Sequence, residues 1–444
     1  MTLIATLATA PKPDADRPAS PYADLTPPMT PVQALAESNR CLFCFDAPCI
    51  RACPTGIDIP AFIRSLATGN LKGAATTILA ENIMGGTCGR VCPTETLCEQ
   101  SCVRNRAEDR PVAIGRLQRH ATDRLIAKDS EGEPAHPFAR AAATGKRVAV
   151  VGAGPAGLSC AHRLATLGHE VTVFEAKAKS GGLNEYGLAP YKMADDFAQR
   201  EVAFILGVGG IAVEHGRRLG AGLSLDGLRA DFDAVFLGVG LGANNRLGIP
   251  GEERAGVEDA TAFIERVRQA PPDRPPAVGR SVVVIGGGNT AVDAAIQAKR
   301  LGAEDVTLVY RRGRAQMGAT PWEQELAQTE GVVLKTFAAP KEIGNASITF
   351  ERTRLADGTL AGTGETFTLR ADMVLKAVGQ TLSADPLSGL EIAGGKIAVD
   401  AAYRTTLAKV WAGGDCVATG EDLTVQSVQD GKLAALSIHS HLTA

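Results

Sequence analysis

Eight of the ten cysteines in this 444-residue chain fall between Cys41 and Cys102, in two tight runs. The first is Cys41, Cys44, Cys49 and Cys53, with Pro54 next; the second is Cys88, Cys92 (followed by Pro93), Cys98 and Cys102. Thiols two to five residues apart, twice followed by proline, form the pattern that holds iron–sulfur clusters, in which the cysteine ahead of the proline commonly serves a second cluster. Eight such thiols match two [4Fe-4S] clusters. A disulfide framework suits short secreted chains, and residues 1–6 (Met-Thr-Leu-Ile-Ala-Thr) lack the basic start of a signal peptide. Zinc sites usually pair two short Cys-x2-Cys hooks across a longer spacer. Clusters are therefore the expectation, ahead of zinc. Cys160 and Cys416 stand alone in apolar segments and read as buried small hydrophobes.

The length implies two to four domains. A net charge of −3, with 45% hydrophobic and 21% charged residues, describes a globular protein without the basic face that nucleic acid requires. No apolar run reaches a membrane span. The expectation is a cytoplasmic chain with no nucleic-acid or membrane partner.

Residues 1–31 are rich in Pro, Ala, Thr and Asp and read as an extended, partly mobile lead-in. Residues 32–140 read as a helical iron–sulfur domain, with helices over 60–66 and 71–82 and a third carrying Ile114, Leu117 and Gln118. Residues 129–145 read as a linker. An internal repeat follows. The apolar strand 147–151 runs into Gly152-Ala153-Gly154-Pro155-Ala156-Gly157, and strand 281–285 runs into Gly286-Gly287-Gly288-Asn289-Thr290. Each continues as a helix, a Leu-Gly turn and a second strand, so two βαβ units share the chain.

In such a unit the first glycine permits the turn, the second lets backbone approach a pyrophosphate, and the helix N-terminus offers free N–H groups. One glycine motif alone is weak evidence; two in strand–loop–helix context are strong. The second strands end differently. The first ends in Glu175, an acid suited to a ribose hydroxyl and hence to FAD. The other ends Tyr310-Arg311-Arg312, where two guanidinium groups suit a 2′-phosphate and favour NADPH over NADH; the alternative is a solvated strand end. Gly413-Gly414-Asp415, ahead of a terminal helix opening at Thr424, closes the first site. Residues 237–240 and 376–379 mark crossovers out of and back into the first domain. The expected fold class is α/β: a helical two-[4Fe-4S] domain followed by two Rossmann-like dinucleotide-binding domains. The FAD domain (146–243 and 380–444) is discontinuous, with the NAD(P)H domain (244–379) inserted.

These residues resemble a known family over almost the whole chain. The loop at 152–157, Glu175, Gly181-Gly182-Leu183 and Gly413-Gly414-Asp415 look like the glutamate-synthase small-subunit flavoproteins. The runs at 41–54 and 87–102, and Ile114-Gly115-Arg116-Leu117-Gln118, resemble the N-terminal part of dihydropyrimidine dehydrogenases, above all their separate bacterial small subunits. In glutamate-synthase small subunits the second run is shorter than the five-residue gap between Cys92 and Cys98. The resemblance implies Cys41, Cys44, Cys49 and Cys102 for one cluster, and Cys53, Cys92, Cys98 and Gln118 for the other. Spacing alone nominates Cys88 in place of Gln118. It further implies Gly152–Gly157 (Ala153, Gly154, Pro155 and Ala156 included), Glu175, Gly182, Leu183, Lys192, Gly414, Asp415, Thr424 and Val425 at FAD. For NAD(P)H it implies Gly287, Gly288, Asn289, Thr290, Arg311, Arg312, Ala377, Val378 and Gly379. One departure is Gly318, where the long-chain enzymes carry an arginine, with Arg314 as a substitute.

The implied role is an electron-input subunit. NAD(P)H would reduce FAD, and two clusters would relay electrons to an FMN- and iron–sulfur-containing large subunit that reduces uracil or thymine. The sequence closes with a helix after the FAD domain, so no pyrimidine site of its own is expected. Hydride passes between bound cofactors, so no side chain is assigned as catalytic. The alternatives are a glutamate-synthase small subunit, a general NAD(P)H:acceptor flavoprotein, or a redox-sensing scaffold.

Overall fold

Short polar side chains decide where the helices around the cysteines begin. In the computed structural model, which describes residues 20–126, 136–383 and 385–444, Thr30 and Gln33 form a reciprocal capping box that starts the helix Pro31–Ser38. Asp58 caps Ile59–Ala67 and Asn70 caps Leu71–Glu81. These helices bury Phe62, Ile63, Ala74, Ala75 and Ile78 against Ile114, Leu117 and Ala121 of the helix Ile114–Ile126, forming a small core beneath the cysteines.

Two parallel five-stranded sheets follow. The first runs in the order Val410–Ala412, Ala234–Leu237, Arg147–Val151, Glu170–Glu175, Ile211–His215. The second runs Val333–Lys335, Asp305–Val309, Ser281–Gly286, Met373–Ala377, Val257–Asp259. Every residue of Ala234–Leu237 and Ser281–Gly286 is buried, as unbroken apolar runs require when helices cover both faces. The second sheet lies in sequence between the last two strands to join the first, so the nicotinamide-type unit is inserted in the FAD-type unit. The outgoing and returning chains pair there, Ala243–Asn244 against Gln380–Thr381. An antiparallel sheet of Ala338–Ile343, Ser347–Ala356 and Thr359–Arg370 extends the inserted unit, a feature that the sequence reading did not place.

The lead-in differs from the mobile segment expected. Residues 1–19, and residues 129–135 of the expected linker, lie outside the described residues. Residues 20–30 are packed: Leu25 N–H donates to Tyr191 O at 2.8 Å, Arg119 pairs with Asp24, and Arg300 donates to Ala23 O at 3.0 Å. Its backbone carbonyls meet arginines from two different units, which ties down a stretch whose composition alone suggests disorder. A second tie is Glu201, buried on the helix Phe197–Leu206, which accepts hydrogen bonds from the N–H (3.0 Å) and hydroxyl of Thr87. Burial pushes its carboxyl up to about 7. Among the described residues no helix is long and apolar enough to cross a membrane.

Candidate functional site

The cysteines gather into two groups. Cys41, Cys44, Cys49 and Cys102 line one cavity, with Ile59 and Ile63 as its floor. Phe43, between the first two, sits at φ +50 beneath the Arg64 guanidinium, and this left-handed turn brings Cys41 and Cys44 to the same cavity. Cys53, Cys92 and Cys98 form the second group, with Cys88 against Cys92. Burial, reinforced by Cys102 and Cys41, pushes the Cys49 thiol up to about 12. A hydrogen bond with Cys88 and burial hold Cys92 well above the ordinary thiol range, and burial does the same for Cys98. Thiols crowded in this way become thiolates only around positive charge, which iron supplies, so the donor set fits clusters. All ten cysteines are free of disulfides, and Cys160 and Cys416 are fully buried in apolar cores.

Gln118 and Cys88 lie on two helices that pack together. The helix Gly85–Val91 packs closely on Ile114–Ile126 because Gly89 carries no side chain: a Cβ there would stand 2.8 Å from Arg119 N. Gln118, itself buried, donates from its Nε2 to Gly85 O at 2.7 Å, and its Oε1 makes no hydrogen bond.

At the first dinucleotide loop, Gly152 has φ +98, and a Cβ on Gly157 would fall 1.8 Å from Gly152 O, so helix and strand meet only through glycine. Gly182, at φ +55, approaches Gly154 so closely that a Cβ would lie 2.7 Å from its Cα. Glu175 accepts from Ala153 N at 2.8 Å and Lys177 N at 2.7 Å, which locks the loop to the strand end. Gly414 abuts Ala156, Asp415 accepts from Ser427 Oγ at 3.0 Å, and Thr424 donates to Asn184 Oδ1 at 3.0 Å, beside Leu183. The buried Val425 follows Thr424 in the first turn of the helix Thr424–Thr443. That helix and Pro155–Thr166 both start without a side-chain cap, so their first N–H groups are open to an anion. The cradle fits FAD.

At the second loop a Cβ on Gly286 would stand 2.4 Å from Ala377 O, which sets the Ala377–Val378–Gly379 turn beside the loop. A Cβ on Gly288 would meet nothing within 4 Å, so open space faces the start of the uncapped helix Asn289–Arg300, with Thr290 in its first turn. Among the described residues the side chains of Arg311 and Arg312 have no hydrogen-bond or ion-pair partner, whereas Arg314 is engaged with Gln324 Oε1 at 3.2 Å. Gly318 lies 3.9 Å from Gly288 on the same measure, so the residue that departs from the family pattern does border the loop. Asn289 keeps a buried, unpaired Oδ1. An unpaired buried acceptor beside an open helix start fits a nucleotide.

Lys192 is placed differently from the other FAD candidates. Its ammonium lies 2.7 Å from Asp293 Oδ1 and pairs with Glu323, both from the inserted unit, and Tyr191 Oη donates to Asp293 at 3.0 Å. Burial works against the ammonium, but the two carboxylates outweigh it and raise its pKa; burial pushes Glu323 up to about 7. Sequence reasoning missed Asp293 and Glu323, because their partner is remote in the chain and no local spacing signals the pairing. It also missed Asp430, which accepts from Gly414 N at 3.0 Å and so holds the Gly-Gly-Asp turn. Lys192, Asn289, Glu323, Cys92, Arg90 and Arg119 border one small, partly open cavity. This cavity thus touches Cys92, the Lys192 segment of the FAD-type unit and the start of the helix Asn289–Arg300.

Comparisons with known proteins match both the cysteine-bearing and the dinucleotide-binding parts of the chain. The family model for pyridine nucleotide-disulphide oxidoreductases matches residues 146–431, and that for dihydropyrimidine dehydrogenase domain II, 4Fe-4S cluster, matches residues 19–130. The NAD-dependent dihydropyrimidine dehydrogenase subunit PreT of Salmonella typhimurium is 37% identical, over 96% of this chain and 98% of its own. The NADP(+)-dependent formate dehydrogenase subunit beta of Moorella thermoacetica is 34% identical, over 89% of this chain and 60% of its own. Among solved structures, Mycobacterium tuberculosis FprA in complex with NADPH shares the fold, with a TM-score of 0.57 at 21% identity, over 67% of this chain and 84% of that one.

Proposed function

The chain belongs to the pyridine nucleotide-disulphide oxidoreductase family, with the iron–sulfur domain of the dihydropyrimidine dehydrogenases, and on that premise we propose that it is the electron-input subunit of such an enzyme. It is an oxidoreductase built for NAD(P)H, FAD and [4Fe-4S] clusters. The observation that carries the reading is the cavity bordered by Asn289, Lys192 and Cys92, since it brings the start of the second nucleotide loop's helix, a residue of the flavin unit and a cysteine of the second thiol group to one place. When bound, FAD would supply a hydride acceptor for the nicotinamide and the clusters would supply single-electron carriers. The residues position and enclose. The glycine loops let backbone approach both dinucleotides, and the Lys192 triad holds the two dinucleotide units face to face.

An FMN- and iron–sulfur-containing large subunit, reducing uracil or thymine, is the proposed acceptor. Two features support a protein acceptor: the relatives' names describe subunits, and Leu42, Phe45 and Val103 stand exposed around the first thiol group. Ten unpaired thiols suit a reducing cytoplasm. Purification without oxygen from its own cells tests this reading. Recovery of a barrel-type FMN protein, with NAD(P)H-dependent uracil reduction by the complex, is the expected result. A glutamine-amidotransferase partner, or dye reduction by the chain alone with no partner, would replace it with a glutamate-synthase or general electron-input role.

NADPH is the proposed donor, although the PreT relative is named for NAD. The free guanidinium groups of Arg311 and Arg312 carry that choice. Arg311→Ala with Arg312→Ala should lower kcat/KM for NADPH by roughly 10- to 100-fold, as loss of charge-assisted hydrogen bonds implies, and leave NADH within about twofold. Equal losses with both nucleotides would show a solvated strand end instead.

A further inference from the structure

We propose that the buried Thr55 hydroxyl donates a hydrogen bond to the Cys53 sulfur and so raises the reduction potential of the second iron–sulfur cluster. The inference rests on the cluster reading of the cysteines. Thr55 is only 2% exposed, and its Oγ1 lies 3.3 Å from Cys53 Sγ. A cysteine that binds iron does so as a thiolate, with no proton to give. The hydroxyl is then the donor of this pair and the sulfur the acceptor.

The chain builds this contact locally and clamps it from outside. Pro54 fixes the backbone after Cys53, and Gly56, at φ +72, donates its N–H to Cys53 O at 2.9 Å. That turn folds the Thr55 side chain back onto the sulfur two residues earlier. Thr55 O in turn accepts from the Lys432 ammonium at 3.0 Å. Lys432 is buried on the helix Thr424–Thr443 of the FAD-type unit; it also donates to Glu81 O at 3.0 Å and pairs with the Glu81 carboxylate at 2.8 Å. A cation from the flavin unit thus holds in place the residue that meets the cluster thiol, which makes Lys432 a positioning residue. The sequence Cys-Pro-Thr occurs again at 92–94, yet there the Thr94 hydroxyl turns to the Glu99 carboxylate. Among the described residues Cys53 is the one cysteine of the eight bonded to a hydroxyl. The three-residue motif does not make the contact by itself; the Gly56 turn and Lys432 complete it.

Reduction adds one negative charge to a cluster, and part of that charge resides on the sulfurs. A donor aimed at a sulfur is therefore held more strongly in the reduced state, which moves the potential upward. Burial enlarges the effect, because solvent has little access to take the place of a missing hydroxyl. The group so tuned is the one that the FAD-type unit grips through Lys432.

The test is an anaerobic redox titration of the full chain, loaded with FAD and iron, read by electron paramagnetic resonance. The second cluster's signal is identified as the one missing from Cys92→Ser. Thr55→Val keeps the shape of the side chain and removes the donor. The expected result is a second cluster harder to reduce by about tenfold in the equilibrium, or about 59 mV for one electron, with the first cluster unchanged. Thr55→Ser keeps a hydroxyl and should restore most of that shift. If Thr55→Val fails to hold the second cluster, Thr55→Ala is read in its place with the same expectation. An unchanged second potential, an equal fall at both clusters, or the same fall in Thr55→Ser overturns the proposal and leaves the clusters standing. Loss of the second cluster from both Thr55→Val and Thr55→Ala gives Thr55 a structural role alone and overturns it as well. Absence of iron from the unaltered chain removes the cluster reading itself, and the proposal with it.

Discussion

Replacing Cys92 by Ser should remove one four-iron cluster and spare the other, so that iron falls from roughly eight to roughly four atoms per chain. Cys49→Ser has the mirror effect on the first group. Iron and sulfide analysis, with electron paramagnetic resonance of the reduced protein, reads which cluster is lost. The same measurement tests the eighth ligand, which we propose to be Gln118. Cys88 is buried one helical turn before Cys92 and shares a hydrogen bond with it. Gln118 faces the same helix from across the interface, its Nε2 anchored on Gly85 O, and its Oε1 turns free. Cys88→Ser should therefore keep both clusters, and Gln118→Ala should lose the second. The reverse pattern would make Cys88 the ligand.

The second large effect is expected at Lys192. Lys192→Met leaves Asp293 and Glu323 buried beside each other without a cation. Removing one partner of a buried ion pair costs about 3–5 kcal/mol, because the remaining charge is uncompensated. The denaturation midpoint of the FAD-loaded chain should fall accordingly, and flavin reduction by NAD(P)H should slow as the two units lose their fixed orientation. The loss should be smaller at pH 6 than at pH 8. Burial raises the Glu323 carboxyl to about 7 even though Lys192 works to lower it, so without Lys192 it holds a proton more readily still, and as pH falls one of the two uncompensated buried charges disappears. Adding Asp293→Asn and Glu323→Gln to Lys192→Met should restore much of the stability but not the rate. An unchanged midpoint in the single variant would show that the triad ties nothing together.

Much of this architecture was legible in the chain. The run of apolar residues into each glycine loop announced two parallel sheets, since a strand covered on both faces has no polar positions to show. The insertion was visible at residues 237–240 and 376–379, where a strand stops at glycine and the chain leaves. The antiparallel sheet formed by residues 338–370 was not read. Two of its strands, Ala338–Ile343 and Thr359–Arg370, alternate only partly between buried and exposed positions, and the long hairpin shows much of its surface to solvent. Residues 20–30 were misjudged for a related reason: proline-rich composition predicts what a segment does alone, and here Arg119, Arg300 and Tyr191 hold it.

Cysteine spacing, glycine loops and the charge at each strand end are local signals, and they settled from sequence that this is an α/β oxidoreductase with iron–sulfur, flavin and nicotinamide parts. Such signals survive in one dimension because a turn or loop is made by residues adjacent in the chain. The pairing of Lys192 with Asp293 and Glu323, the clasp of Asp430 on Gly414, and the meeting of Asn289, Glu323 and Cys92 on one cavity join residues that are mostly far apart in the chain. Only packing the three units together fixes those distances, because each side chain's partner is supplied by a surface that its own segment does not encode.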